Sequence, residues 1–113
     1  ISIPQSVIKI GQKVFSGCNS LSSIRVERNN PVYDSRNNCN AIIETKTNRI
    51  VSGCRNTIIP NDVKAIGNNA FQNCGILVYS IHDSVILLGR SAFRLNPIKS
   101  ISLSNNLHAF LLF

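Results

Sequence analysis

The stretch Ile3–Cys18, IPQSVIKIGQKVFSGC, returns as Ile59–Cys74, IPNDVKAIGNNAFQNC, with identity at Ile3/Ile59, Pro4/Pro60, Val7/Val63, Ile10/Ile66, Gly11/Gly67, Phe15/Phe71 and Cys18/Cys74. Seven identities in sixteen positions mark an internal repeat, and a repeat decides the fold before any single element does. A third copy, IHDSVILLGRSAFRLN from Ile81 to Asn96, puts Val85, Leu88, Gly89, Ala92 and Phe93 in the same columns, with His82 and Asn96 in place of the proline and the cysteine. The step from Ile59 to Ile81 is 22 residues, and a fourth copy opens 22 residues later at Leu103 before the pattern is lost in the final HAFLLF.

Working outward, each copy is entered through a second apolar motif: Leu21, Ile24 and Val26, then Ile76, Tyr79 and Ile81, then Ile98, Ile101 and Leu103. This L-x-x-I-x-I spacing predicts a short strand with one buried face. The V-x-x-I-G segment predicts a second strand or extended turn, with Gly11, Gly67 and Gly89 where the backbone needs positive φ or a close approach. From that glycine to the cysteine the chain is too short for an independent helix, so a single helical or 3-10 turn is expected. One such repeat cannot bury its own apolar face, but stacked copies align into a continuous core. In that stack Phe15, Phe71 and Phe93 lie one upon another and Cys18 and Cys74 are small buried thiols.

The motif resembles the repeat of the BspA-like leucine-rich repeat family, L-x-x-I-x-I-P-x-S-V-x-x-I-G-x-x-A-F-x-x-C, over residues 1–26 and 57–107. Departures are Val14 for Ala, His82 for Pro, Asn96 for Cys, and a one-residue shortening between Cys74 and Ile76. The resemblance implies an α/β-type leucine-rich repeat solenoid, strand-rich with short helical or 3-10 turns and wound as a right-handed superhelix. It also implies a bacterial surface or secreted protein with protein-protein or cell-surface binding. The chain then reads as one domain, 1–113, with repeats at about 1–26, 57–80 and 81–102, a partial copy at 103–113 and an insertion at 27–56.

Within the insertion, Asn29-Asn30-Pro31 signals a turn, and Ala41–Glu44 and Arg49–Ser52 form two strands of a hairpin across Thr45-Lys46-Thr47-Asn48. The segment YDSRNNCNAIIET also resembles an insertion of Bacteroides-type members of the family. Pairing Glu44 with Arg49 sets Ile43 against Ile50 and Cys39 against Cys54. Two outcomes follow: a Cys39–Cys54 cross-strand disulfide, or two reduced, partly buried thiols should the register shift by one residue.

Twelve Lys and Arg against five acids give a net charge of +7, but the basic residues are spread evenly and aromatics are few, which argues against nucleic acid as a partner. No run of 18 apolar residues is present, so this segment does not insert into a membrane. The cysteines form no C-x-x-C pair, and no metal or cofactor is expected. His82 and His108 are the only histidines, His82 stands in a proline column, and no G-x-S-x-G, Walker or H-E-x-x-H motif occurs, so no catalytic residue is assigned.

The sequence therefore reads as a binding module, or as a structural spacer of a larger surface protein. Outward strand positions supply the candidate ligand face: Ser22, Ser23, Arg25, Val78, Ser80, Lys99, Ser100 and Ser102. The start on a repeat strand and Leu111 in the glycine column read as a piece of a longer protein, with uncapped repeat ends that self-associate or are covered by the tail.

Overall fold

A computed structural model describes residues 1–107 and 109–110. Its strands are short because the alternation that makes them is short: β1 Ser2–Ile3, β2 Arg25–Val26, β3 Tyr33–Asp34, β4 Ala41–Glu44, β5 Arg49–Gly53, β6 Ala65–Ile66, β7 Val78–Ser80, β8 Leu87–Leu88, β9 Ser100–Ser102 and β10 Ala109–Phe110. No two-residue strand is stable alone, and each is held by its neighbour in the next coil. The L-x-x-I-x-I segments pair in parallel, β1 with β2 and β7 with β9. The V-x-x-I-G segments of the second and third copies, β6 and β8, join a larger sheet with the insertion strands, in the order β10-β8-β6-β5-β4-β3, while that of the first copy forms no strand.

The insertion does not stand aside from this array. Its strand β5 pairs in parallel with β6, so that Ile50, Ile66, Leu88 and Phe110 hold one register position. Ile50, Ile66 and Leu88 are buried there as one apolar column. Phe110 follows Leu88 by the same step as Leu88 follows Ile66, so the repeat continues into HAFLLF rather than ending before it. The expectations placed on His108, on Leu111 and on the tail fall outside the described residues.

The helical turn expected after each glycine is not formed, and the α part of the α/β expectation fails with it. Successive reverse turns take its place, with bonds from Ser16 N to Lys13 O, Gln72 N to Asn69 O and Arg94 N to Ser91 O. A left-handed residue recurs at Lys13, Asn69 and Ser91, and again at Gly17, Asn73 and Leu95, which ends any right-handed helix before it can propagate. Among the described residues the helical segment is the 3-10 turn Arg36–Asn38. These turns stack on one another through Asn69 N to Arg90 O, Phe71 N to Ala92 O at 2.8 Å, and Gly17 N to Asn73 O at 2.9 Å.

The core divides into two clusters. Phe71, Phe93, Val63, Val85, Ile43 and the ladder column pack in one, while Phe15, Ile24, Val26, Tyr33, Ile42 and Cys54 pack in the other. The three-phenylalanine stack is therefore a two-phenylalanine stack: Phe71 and Phe93 lie face to face, and Phe15 is buried with the first coil and the insertion. Arg36 ties the insertion to the second copy, gripping Asp34 from Nε and a terminal nitrogen and reaching Asn48 Oδ1 at 2.7 Å and Asp62 Oδ2 at 3.1 Å. Burial opposes the Asp34 charge, but hydrogen bonds from Arg36 and Thr45 outweigh it and hold the carboxyl below its usual range.

Candidate binding groove

The hairpin pairs as its sequence dictates at the turn, with Glu44 opposite Arg49 and Ile43 opposite Ile50. A bulge between Ile42 and Ile43 then shifts the register, bringing Ile42 opposite Ser52 and Ala41 opposite Gly53. That shift is the one that leaves Cys39 and Cys54 as separate thiols, the second of the two outcomes open to the hairpin. Cys39 packs in the Phe71 cluster and Cys54 in the Phe15 cluster, and both thiols are free. Cys74 is buried as expected, but Cys18 is exposed. Burial pushes the Cys74 thiol up to about 11, and the nearby Cys54 and Cys18 thiols act in the same direction.

The same insertion opens a groove. Thr57 and Ile58 lead into Ile59 of the second copy as Tyr79 and Ser80 lead into Ile81 of the third, so the two segments would pair in a regular array. Among the described residues no ladder joins them, and Ile58 N instead donates to Cys39 O at 3.0 Å. Thr57 is turned inward, its hydroxyl accepting from Cys54 N and donating to Asn40 O. Tyr79 spans the gap, its hydroxyl donating to Thr57 O at 2.8 Å while its ring packs against Phe71 and Phe93. Burial carries the Tyr79 phenol well above the ordinary tyrosine range, so at neutral pH it keeps the proton it donates to Thr57 O.

What remains above Tyr79 is an open groove of about 640 Å³ with a wall of Ile58, Ile59 and Asn61 facing Ser80, Ser100 and Ser102. A second hollow of about 470 Å³, beside Asn37 and Asp62, shares Ile58, Ile59 and Asn61 with it. Ile58 is 76 % exposed, an unusual setting for isoleucine, in a column otherwise held by Arg25, Ser80 and Ser102. His82 sits at the groove's end, exposed, its Nδ1 accepting from Ser84 N.

Of the sequence-derived face, Ser80, Ser100 and Ser102 come together in this groove. Arg25 is exposed on β2 with Ser22 and Ser23 exposed ahead of it, and Lys99 is exposed ahead of β9. Val78 lies opposite Ser100 in the ladder, and its side chain is outside the described set. Sequence reasoning passed over Ile58, Thr57 and Asn61. Counting backward from Ile59 by the spacing of Tyr79-Ser80-Ile81 finds the first two.

A family model described as "BspA type Leucine rich repeat region (6 copies)" matches residues 1–50 and 36–111. The chain belongs to the BspA-type leucine-rich repeat family. The match runs through the insertion, in agreement with β5 holding a ladder position in this BspA-type array. The chain is similar in structure to a leucine rich cell surface protein from Faecalibacterium prausnitzii A2-165, with a TM-score of 0.73 and 27% identity over 95% of this chain and 30% of that one. It is also similar to a leucine-rich repeat protein from Eubacterium ventriosum ATCC 27560, with a TM-score of 0.62 and 18% identity over 89% of this chain and 35% of the other. The BspA-type chain thus spans about a third of the length of either protein. No curated protein matches it. The leucine-rich repeat fold is shared with both, here in a form rich in strand and almost without helix.

Proposed function

We propose that this chain is a non-catalytic binding module of a bacterial cell-surface or secreted protein, and that a protein or cell-surface partner docks across the groove between Ile58 and β7. In this reading the coils form one domain, 1–113, wound as a right-handed solenoid. The observation that carries it is Ile58: an apolar side chain 76 % exposed beside a row of small hydroxyls, where the repeat elsewhere places serine or arginine. Similarity to a cell-surface leucine-rich repeat protein supports the location. Serines give adaptable hydrogen bonds at little entropic cost, and Ile58 supplies a desolvated anchor.

Immobilised chain is incubated with extracellular host proteins and glycans and washed at high salt, which removes ligands held only by the +7 charge. A partner kept by the native chain and lost by Ile58→Asp, with Leu95→Asp as an exposed control, is the expected result. Retention by Ile58→Asp removes the groove from the reading. The absence of any salt-resistant partner leaves the chain as a spacer.

A further inference from the structure

Two close approaches between the turn of the first coil and that of the second copy, both at the surface, bracket a pair of cysteines. Gly17 N donates to Asn73 O at 2.9 Å. Two residues on, a Cβ placed on Gly75 would lie 3.6 Å from Cγ of Asn19. The turns run side by side over these positions, which sets the residues between them, Cys18 and Cys74, opposite one another. Backbone segments joined side by side by a hydrogen bond such as Gly17 N to Asn73 O lie roughly 5 Å apart, inside the span of roughly 4.4 to 6.8 Å between Cα atoms that a disulfide bridges. Cys18 is exposed and Cys74 is buried, and both are free thiols.

We propose that Cys18 and Cys74 are an oxidation site, closing into a disulfide that joins the first coil to the second copy across the insertion. Cys54 and Cys18, in that order, both push the Cys74 thiol upward, so both sulfurs lie near it, and of the two Cys18 is the exposed one that an oxidant reaches. The oxidant is a low-molecular-weight disulfide. Cys18, the accessible thiol, loses its proton and attacks one sulfur of the oxidant, whose S–S bond breaks and whose other half leaves as a thiolate. Cys74 Sγ then attacks Cys18 Sγ in the mixed disulfide and expels the second half. Two protein thiols are oxidised, one small disulfide is reduced to two thiols, and the two cysteine protons end on those thiols. Cys39 and Cys54 do not pair with each other, because the bulge at Ile42/Ile43 has set them in separate clusters, and both are buried away from the oxidant, which leaves Cys54 as the competing partner of Cys74.

Cleavage after Lys and Arg separates all four cysteines, into peptides 14–25, 37–46, 50–55 and 65–90. The folded chain is incubated with oxidised glutathione, its remaining thiols are alkylated, and the peptides are mapped without reduction. The expected result is a 14–25/65–90 linked peptide as the dominant species, with a urea midpoint shifted upward on oxidation. Cys18→Ser, a surface change, abolishes both the link and the shift, and Cys74→Ala does the same if it folds. A stable glutathione adduct at Cys18 with Cys74 still alkylatable overturns the proposal. So does a 50–55/65–90 or a 14–25/50–55 link as the dominant species, or four alkylatable thiols after prolonged oxidation.

Discussion

Phe71 and Phe93 lie with ring centroids 5.1 Å apart and planes 5° from parallel, each fully buried and each touched by the Tyr79 ring. They are one column of the repeat made physical, and they share their contacts. Phe71→Ala or Phe93→Ala should cost about 3 to 5 kcal/mol by urea unfolding. The double variant should cost less than the sum, because either truncation already breaks the stack. Phe15→Ala combined with Phe93→Ala should be additive, since Phe15 packs in the other cluster. Coupling between Phe15 and Phe93 as large as that between Phe71 and Phe93 would mean a single continuous core.

Asn96 fills the column where the repeat has cysteine, and its side chain satisfies four backbone groups. Oδ1 accepts from Cys74 N at 2.9 Å and Ile76 N at 3.0 Å, and Nδ2 donates to Phe71 O and Phe93 O. It clamps one coil to the next. Restoring the family residue with Asn96→Cys should therefore destabilise rather than improve the fold, by about 1 to 3 kcal/mol, since a thiol replaces none of these bonds well. A denaturation midpoint at or above that of the native chain would show the clamp contributes nothing.

The three glycines of the V-x-x-I-G motif are equal in sequence and unequal in structure. A Cβ at Gly67 would lie 2.8 Å from Ile50 O, and one at Gly89 2.6 Å from Asn68 N, both rigid backbone atoms of the neighbouring coil. At Gly11 nothing lies within 4 Å. None of the three needs positive φ. Gly67→Ala and Gly89→Ala should each cost about 1 to 3 kcal/mol by forcing coils apart, and Gly11→Ala should fall within about 0.5 kcal/mol of neutral. Equal effects at all three positions would place the cost in local conformation rather than coil spacing.

Those glycines show where the sequence could be read and where it stopped. The columns of Val63, Ile66 and Phe71 with Val85, Leu88 and Phe93 were legible because stacking needs the same apolar residue at the same step. The left-handed residues at Lys13, Asn69 and Ser91 were not, because Lys and Ser carry no bias toward that conformation and only the stack imposes it. The hairpin turn was legible from Glu44 to Ile50, but the bulge at Ile42/Ile43 obeys packing against two clusters and left no mark in residue type. The serines at 80, 100 and 102 were visible as outward positions. Ile58 was not, because outward isoleucine reads as core until the missing ladder beside it is known.

Burial gives the chain an alkaline limit. Cys74 is raised by burial from 9.0 to about 11, and the Cys39 thiol and the Tyr79 phenol are raised by burial as well. A raised pKa means the folded chain holds the proton longer than the unfolded chain does. The stability contributed by neutral Cys74 is therefore complete below 9.0 and is lost as pH rises through about 11. The loss should be on the order of 2 kcal/mol between about pH 8 and pH 11, read as a falling urea midpoint under reducing conditions. Cys74→Ala starts lower, having lost buried volume, but should decline less steeply. A slope as steep as that of the native chain would assign the alkaline loss to Cys39 and Tyr79 instead.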